Sequence, residues 1–242
     1  MVKQIVIAAG GTGSRMSQNM NPLKCKALIE YEGFPLIYYL LSSAKESGVE
    51  EFFISITEPY IKLIEDLADN LKIKSKILPP SPNGFEGVPS LFKNDLDERV
   101  LVACGHHFIP REHFISLIEY SKKFTAVYTA YQEPVHKIRN QPRRTLIHNL
   151  NDPENLRFEK VDLREMIIPN EFFYTRNPYI ITKEMVGEVE DNKFRSTVGM
   201  FIYEHWKKEG KVSAVKSIMP PEFDYDDELE RTKKYMNEYF NQ

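Results

Sequence analysis

The sequence of 242 residues predicts a single α/β domain with a mostly parallel sheet and helices on its faces. Two observations support this. Short apolar runs, typical of buried strands, alternate in the first half of the chain with segments whose apolar residues recur at helical spacing. The length suffices for one well-buried domain and does not require two, so the predicted domain spans residues 1–242.

The predicted elements follow from these patterns and from their flanking Pro and Gly residues. Strands are predicted at residues 5–9, 52–57, 74–78, 99–104, 124–131 and 211–218. Helices are predicted at residues 35–47, 59–71 and 196–208, with a further helix beginning at 110–111. The polar, basic segment 132–151 is open to two interpretations, a solvated hairpin or a fold over an anionic acceptor, and the hairpin is favoured.

A glycine-rich turn follows the first predicted strand. Residues 10–13 read Gly-Gly-Thr-Gly and carry little side-chain bulk, so successive backbone amides can approach one anion. Arg15 adds a planar set of donors suited to phosphate oxygens, and Lys26 adds a mobile point charge. This pattern predicts a cradle for a triphosphate.

Two better-known phosphate loops do not match this turn. The dinucleotide-binding fingerprint needs a third glycine where Met16 stands, which also disfavours an NAD-dependent oxidoreductase. The kinase-type loop needs Gly-Lys-Ser/Thr, whereas Ser14 and Arg15 follow Gly13. A glycine turn of purely structural purpose is the remaining alternative.

Three segments, residues 8–16, 26–29 and 33–39, together resemble the opening of the nucleotidyltransferases that make nucleotide sugars. Cys25 and Phe34 stand where that family has a proline and a lysine. The resemblance implies the three-layer, Rossmann-like fold of nucleotide-diphospho-sugar transferases, in a short member that consists of the catalytic domain only.

The resemblance also implies an activity, the transfer of a nucleoside monophosphate from an NTP to a phosphorylated acceptor, most often a sugar 1-phosphate, with release of pyrophosphate. Arg15, Lys26 and Lys160 are the implied catalytic residues, and Lys160 would meet the acceptor phosphate. The implied nucleotide-binding residues are Ala9, Gly10, Gly11, Thr12, Gly13 and Ser14 in the turn, Gly84 and Gly87 near the base, and His106.

Mg²⁺ is the implied cofactor, and Asp224 is its implied ligand. An acidic helix start is the other explanation for an aspartate there. His106 occupies the position of the family's first metal-binding aspartate. It could contact the metal through water, donate to phosphate as an imidazolium, or mark a protein that binds without turnover. A soft-metal site of Cys25, Cys104, His106 and His107 is a disfavoured fourth possibility.

The His106 substitution motivates a second hypothesis, a catalytically degenerate protein of the same fold that binds a nucleotide or nucleotide sugar. The net charge of −3 gives no general attraction to nucleic acid. No apolar run suits a membrane span or a signal peptide, and two cysteines suit a reducing compartment, so we expect a cytoplasmic protein without membrane partners. A homo-oligomer is compatible with the sequence.

Overall fold

The computed structural model describes residues 2–82, 84–133, 143–152, 156–162, 172–186, 211–220 and 223–242. The strands are β1 (Gln4–Ala8), β2 (Glu30–Tyr31), β3 (Phe34–Pro35), β4 (Glu51–Ser55), β5 (Lys74–Leu78), β6 (Arg99–Cys104), β7 (Ala126–Glu133), β8 (Arg143–His148), β9 (Arg157–Asp162), β10 (Phe172–Thr182) and β11 (Val212–Lys216). The helices are α1 (Leu36–Glu46), α2 (Ile61–Leu71), α3 (Val88–Leu91), α4 (Arg111–Tyr120) and α5 (Asp226–Phe240).

The main sheet has the strand order β11-β7-β10-β6-β1-β4-β5. Along this path, within the described strands, only β10 is antiparallel to its neighbours. The chain winds outward from β1 to β4 and β5, and then returns to β6 on the other side of β1. The carboxyl ends of β1 and β6 therefore flank a topological switch point, where ligands bind in open α/β sheets.

Alternating residues of β1 divide the core between the two faces of the sheet. Ile5 and Ile7 face a layer that includes α1, α2 and α4. Val6 faces the opposite layer, which includes α3. A third cluster joins α5 to the β2–β3 hairpin. These layers confirm the predicted α/β class with a mostly parallel sheet.

The predicted strands at 5–9, 52–57, 74–78, 99–104 and 211–218 correspond to β1, β4, β5, β6 and β11, and the helices at 35–47, 59–71 and 111 onward to α1, α2 and α4. The strand predicted at 124–131 begins two residues later, as β7. The helix predicted at 196–208 lies outside the described residues.

The segment 132–151 differs from the prediction. Its described part forms β8, which pairs with β9 as a hairpin and also with β10, so it joins the main sheet. Thr145, Leu146 and Ile147 are buried, because pairing with β10 removes that part of β8 from water. The favoured solvated hairpin is therefore only partly correct. Over the described residues, no helix has both the length and the apolar character needed to cross a membrane.

Candidate active site

The glycine-rich turn lies at the carboxyl end of β1. Ala9 is buried and continues the strand pairing by donating from its amide to the Ser55 carbonyl at 2.7 Å. Gly11, Thr12, Ser14 and Arg15 are exposed. Within the described part of the chain, the amides of residues 10–15 donate no hydrogen bond. Six neighbouring donors are therefore available for an anion at this turn.

Gly13 sets the shape of the turn. Its φ is +62°, and a Cβ there would lie 2.5 Å from Asn21 Nδ2 and 2.9 Å from Lys26 Cγ. Both the backbone angle and the packing thus require glycine. Gly11 is different, because a Cβ on it would meet nothing within 4 Å. The open space lies over Gly11, where a phosphate can approach.

Asn21 holds the turn closed, a role that the sequence did not reveal. Its Nδ2 donates to the Thr12 carbonyl at 2.8 Å, and its Oδ1 accepts from the Cys25 amide at 2.9 Å. The Lys26 amide donates to the Gly11 carbonyl at 3.0 Å. Asn21 is buried, with 3% exposure. The turn and the start of the Lys26 segment therefore form one hydrogen-bonded unit.

Lys26 is a buried cation with two partners near the far end of the chain. It lies in a 3₁₀ turn, Lys26–Leu28, and its side chain is 7% exposed. Nζ donates to the Phe223 carbonyl at 2.7 Å and to Asp224 Oδ1 at 2.5 Å. It also lies 5.6 Å from the centroid of the Phe223 ring. An ammonium has three protons, so one remains for a substrate oxygen.

Asp224 joins both predicted cations. Its Oδ1 contacts Lys26, and its Oδ2 accepts from Arg15 Nη1 at 2.8 Å. Burial alone would raise the pKa of Asp224, but the hydrogen bond and charge of Lys26, with the charges of Arg15 and Arg176, outweigh it and lower the pKa. The carboxylate is therefore ionised at neutral pH.

The contacts around the start of α5 distinguish the two explanations for Asp224, a metal ligand or an acidic helix start. Tyr225 is the N-cap residue, and Asp226, Asp227 and Glu228 occupy the first turn, where the helix dipole favours negative charge. Asp226 also accepts from the Ser17 amide at 3.1 Å. The carboxylate of Asp224, in contrast, pairs with Lys26 and Arg15 and does not cap the helix.

The turn after β6 lies against the glycine-rich turn. The Gly105 amide donates to the Ala8 carbonyl at 2.9 Å. A Cβ on Gly105 would lie 2.7 Å from the Ala9 Cβ, so only glycine permits this approach. His106 follows directly and is 9% exposed, with its ring edge-on to Phe223 at 5.2 Å between centroids. His106 thus lies in the same cluster as Lys26 and Asp224.

His106 is neutral in these surroundings. Burial is the main reason that its pKa lies well below the usual range, and the charges of Lys26, His107 and Arg176 lower it further. Its Nε2 has no hydrogen-bond partner within the described structure. The environment does not favour the imidazolium explanation, which leaves water-mediated metal contact and loss of turnover.

The donor groups of the cluster suit Mg²⁺ better than a soft metal ion. The described residues contain no group of three His, Cys, Asp or Glu side chains placed to hold a metal ion, so the soft-metal hypothesis is wrong. Mg²⁺ at nucleotide sites commonly uses one or two carboxylates, with phosphates as further ligands. One carboxylate, Asp224, is present in the cluster. The site therefore fits Mg²⁺ only with oxygen ligands contributed by a bound nucleotide.

The remaining predicted residues are less closely tied to this cluster. Gly84 has φ +73° and precedes a 3₁₀ turn, Phe85–Gly87. Pro80, four residues before Gly84, adjoins the glycine-rich turn, since a Cβ on Gly10 would lie 3.2 Å from Pro80 Cγ. The backbone of Lys160 lies in β9 opposite Thr145, and its side chain is outside the described residues. The roles of Gly84, Gly87 and Lys160 stay predictions.

Asn177 belongs to a buried polar network beside the site. Its Oδ1 accepts from the Cys104 amide at 3.1 Å, and its carbonyl accepts from the Tyr131 hydroxyl at 2.9 Å. His107 Nε2 lies 2.9 Å from the Pro220 carbonyl oxygen. These contacts join β6, β7 and β10 at the edge of the site. Such contacts could not be predicted from sequence patterns, because the partners are far apart along the chain.

A family model described as the MobA-like NTP transferase domain matches residues 5–201. Among curated proteins, none matches the chain in sequence.

Several solved structures share the fold. A Bacillus anthracis protein described as a glucose-1-phosphate thymidylyltransferase has a TM-score of 0.75 at 13% identity, covering 97% of this chain and 95% of its own. The inositol-1-phosphate CTP transferase of T. maritima has a TM-score of 0.69 at 16% identity, covering 98% and 95%. The 4-diphosphocytidyl-2C-methyl-D-erythritol synthase of Anaerococcus prevotii has a TM-score of 0.66 at 17% identity, covering 97% and 95%. At these identities the likeness establishes the fold alone.

Proposed function

This chain belongs to the family of MobA-like NTP transferase domains, and on that premise we propose that it transfers a nucleoside monophosphate from an NTP to a phosphorylated acceptor, releasing pyrophosphate. A sugar 1-phosphate is the favoured acceptor class, with polyol phosphates as close relatives. Two structural neighbours are named for transfer to glucose 1-phosphate and to inositol 1-phosphate, which supports this choice.

One observation carries the proposal. Lys26, Arg15 and Asp224 meet beside a turn whose amides are free to donate, at the carboxyl ends of β1 and β6. These groups come from segments roughly 200 residues apart, with sequence separations of 209 and 198 for the two ion pairs. Cations and amides that converge in this way suit a polyphosphate.

The reaction itself needs position and charge more than covalent chemistry. An oxygen of the acceptor phosphate forms a bond to the α-phosphorus of the NTP. The bond from the α-phosphorus to the oxygen that bridges to the β-phosphate breaks, and pyrophosphate leaves with that electron pair. A phosphate oxyanion is already a nucleophile, so no proton has to be removed from the acceptor.

The residues divide this task by location. The amides of residues 10–13 and the Arg15 guanidinium hold the β- and γ-phosphates. The Lys26 ammonium, which has one proton uncommitted, stabilises the charge that develops at the α-phosphate. Lys160 orients the acceptor phosphate, and Gly84 and Gly87 approach the base.

Asp224, together with phosphate oxygens, would hold Mg²⁺. When bound, the ion neutralises phosphate charge and orients the phosphates. The ionised state of Asp224 supports this assignment, since only the carboxylate form binds a cation well.

The direct test is pyrophosphate release from ATP, CTP, GTP, UTP and dTTP against a panel of sugar 1-phosphates and polyol phosphates, in Mg²⁺ and in EDTA. We expect release with one NTP and one acceptor, and its loss in EDTA and in Lys26→Ala. Lys62→Ala is the matched control, because Lys62 forms an exposed lysine–aspartate pair with Asp66 on α2. Equal activity in Lys26→Ala and Lys62→Ala would refute the role of Lys26.

His106 supports a second candidate function, a nucleotide-binding protein without turnover. A neutral imidazole is a poor ligand for a hard cation, and it stands where the resemblance places a carboxylate. This function predicts calorimetric binding of an NTP in EDTA and no pyrophosphate release with any pair in the panel. Release with any pair would exclude it.

A further inference from the structure

Arg15 and Lys26, the cations predicted beside the glycine-rich turn, are both paired with one carboxylate of the chain itself. Arg15 Nη1 donates to Asp224 Oδ2 at 2.8 Å, and Lys26 Nζ donates to Asp224 Oδ1 at 2.5 Å. Each oxygen of the carboxylate therefore accepts from a different cation. Carboxylate and phosphate oxygens both accept from guanidinium and ammonium groups, so Asp224 occupies donors that a phosphate would use.

The two ion pairs differ in burial. The Lys26 side chain is 7% exposed, and its Nζ also donates to the Phe223 carbonyl at 2.7 Å. The Arg15 side chain is 48% exposed. Exposed ion pairs contribute little free energy, whereas separating a buried charge from its partner is costly. The Arg15–Asp224 pair is therefore the one that an incoming phosphate can displace.

The backbone around Asp224 is fixed beside the glycine-rich turn. The Asp224 amide donates to Glu228 Oε2 at 2.7 Å, a contact with the first turn of α5. Two residues further on, Asp226 Oδ1 accepts from the Ser17 amide at 3.1 Å. These hydrogen bonds and the Lys26 pair hold the carboxylate in place after Arg15 is released.

We propose that Asp224 is a specificity-determining residue, which discriminates against polyphosphate that reaches the site without a divalent cation. The proposal rests on the proposed function. A free polyphosphate must break the Arg15–Asp224 pair, and it then lies beside a carboxylate whose like charge repels it. A polyphosphate that carries Mg²⁺ supplies a cation to the carboxylate, so both partners of the broken pair gain a new one.

The test is calorimetry of inorganic tripolyphosphate in EDTA and, separately, in excess Mg²⁺. In EDTA, Asp224→Asn should bind about fivefold or more tightly than the wild type, because Arg15 has lost its competing partner and the repulsion is gone. Mg²⁺ should strengthen binding by the wild type but not by Asp224→Asn. Tighter binding combined with slower turnover is a result that loss of a merely structural residue would not give.

Two further variants separate direct pairing from general electrostatics. Asp226→Asn is the matched control, because it removes the same charge two residues away and leaves both Asp224 pairs in place. It should bind within about twofold of the wild type, since exposed charges are screened. In an Arg15→Gln background, Asp224→Asn should increase the affinity much less, because the displaced cation is already absent.

Circular dichroism and thermal unfolding establish which variants retain the fold. If Asp224→Asn unfolds because the buried Lys26 ammonium has lost its carboxylate, Lys26→Met is compared with Lys26→Met/Asp224→Asn. The double variant buries no unpaired ammonium at position 26. The proposal predicts that it binds tripolyphosphate in EDTA more tightly than Lys26→Met does.

The results that would overturn the proposal differ from those that would overturn the proposed function. The proposal alone fails if the wild type binds tripolyphosphate equally well in EDTA and in Mg²⁺. It also fails if the folded variant without the Asp224 charge binds in EDTA no more tightly than its parent. If the wild type binds no NTP and no tripolyphosphate, with or without Mg²⁺, the proposed function and this proposal fail together.

Discussion

The two halves of the sheet contribute to the candidate site by different means. The parallel strands β1, β4 and β6 end in turns, and the turn after β1 presents free backbone amides. The antiparallel strand β10, with β7, presents side chains fixed by buried hydrogen bonds. A triphosphate is alike in every NTP, so backbone groups suffice to bind it. The antiparallel half also includes β9, which carries Lys160, the residue proposed to meet the acceptor phosphate.

The largest effect should come from the centre of the parallel half. Lys26→Ala removes the cation proposed to stabilise the α-phosphate, and it leaves Asp224 without its buried partner. We expect the single-turnover rate of pyrophosphate release to fall on the order of a hundredfold or more. An unchanged rate would show that Lys26 is not the residue that stabilises the α-phosphate.

Asp224→Asn tests the link between the turn and α5. The substitution removes the charge that pairs with Lys26 and Arg15 but keeps the shape, so the rate should fall about tenfold or more and lose its Mg²⁺ dependence. The urea unfolding curve should remain cooperative. Asp226→Asn, in the first turn of α5, is the control that should retain Mg²⁺ dependence. If Asp224→Asn unfolds the protein, the residue is structural.

Gly13→Ala tests whether the parallel half depends on backbone shape. An alanine at φ +62° is strained, and its Cβ would lie 2.5 Å from Asn21 Nδ2. We expect the free energy of unfolding to fall by about 2 kcal/mol in urea titrations. Gly11→Ala is the matched control, with a change of less than about 0.5 kcal/mol, because its Cβ meets open space. Equal losses in both variants would contradict this account of the turn.

The contact between His113 on α4 and Thr129 on β7, a strand of the antiparallel half, should affect the pH dependence of stability. Burial, with the charge of His107, lowers the pKa of His113 to about 3, and His113 Nε2 lies 2.9 Å from the Thr129 hydroxyl. The unfolded chain protonates this histidine near pH 6.5, whereas the folded chain does not until about pH 3. The contribution of neutral His113 to the free energy of unfolding is therefore fully present above pH 6.5, and it is lost as the pH falls from 6.5 to about 3.

The contribution of His113 has a defined slope. One proton taken up only by the unfolded state changes the unfolding free energy by about 1.4 kcal/mol per pH unit. Urea titrations from pH 7 to pH 4 should give a slope that is shallower by about this amount in His113→Gln. Parallel slopes for the two proteins would show that His113 is not buried in the neutral form.

Local patterns in the sequence predicted the parallel half well. The strand at 74–78 and the strand at 99–104 have the bounds of β5 and β6, since each is a short run between turn residues. The glycine-rich turn was recognisable from the sequence because a turn of this shape requires glycine and other small residues. The roles of Gly13 and Gly105 follow from the same physics, a backbone that must turn or approach closely.

Most of the antiparallel half was not predicted from the sequence. The eleven residues of β10 were not predicted as one strand, because Asn177 and Pro178 interrupt the alternation. Arg143 and Arg144 made β8 resemble a solvated segment, although the residues that follow them are buried. The contacts of Asn21, Phe223 and Asn177 leave no local pattern, since their partners are set by the fold.

The salt bridge between Lys26 and Asp224 joins an early segment of the chain to a late one. On the ribosome, the glycine-rich turn and Lys26 are synthesised first, and the carboxylate of Asp224 follows about 200 residues afterwards. A nascent chain that has not yet reached Phe223 contains β1, β4, β5 and β6 but an unpartnered lysine. The proposed site is thus complete only once residues 223 and 224 have been synthesised, and cleavage of the chain before residue 223 would separate Lys26 from the segment that carries both of its partners.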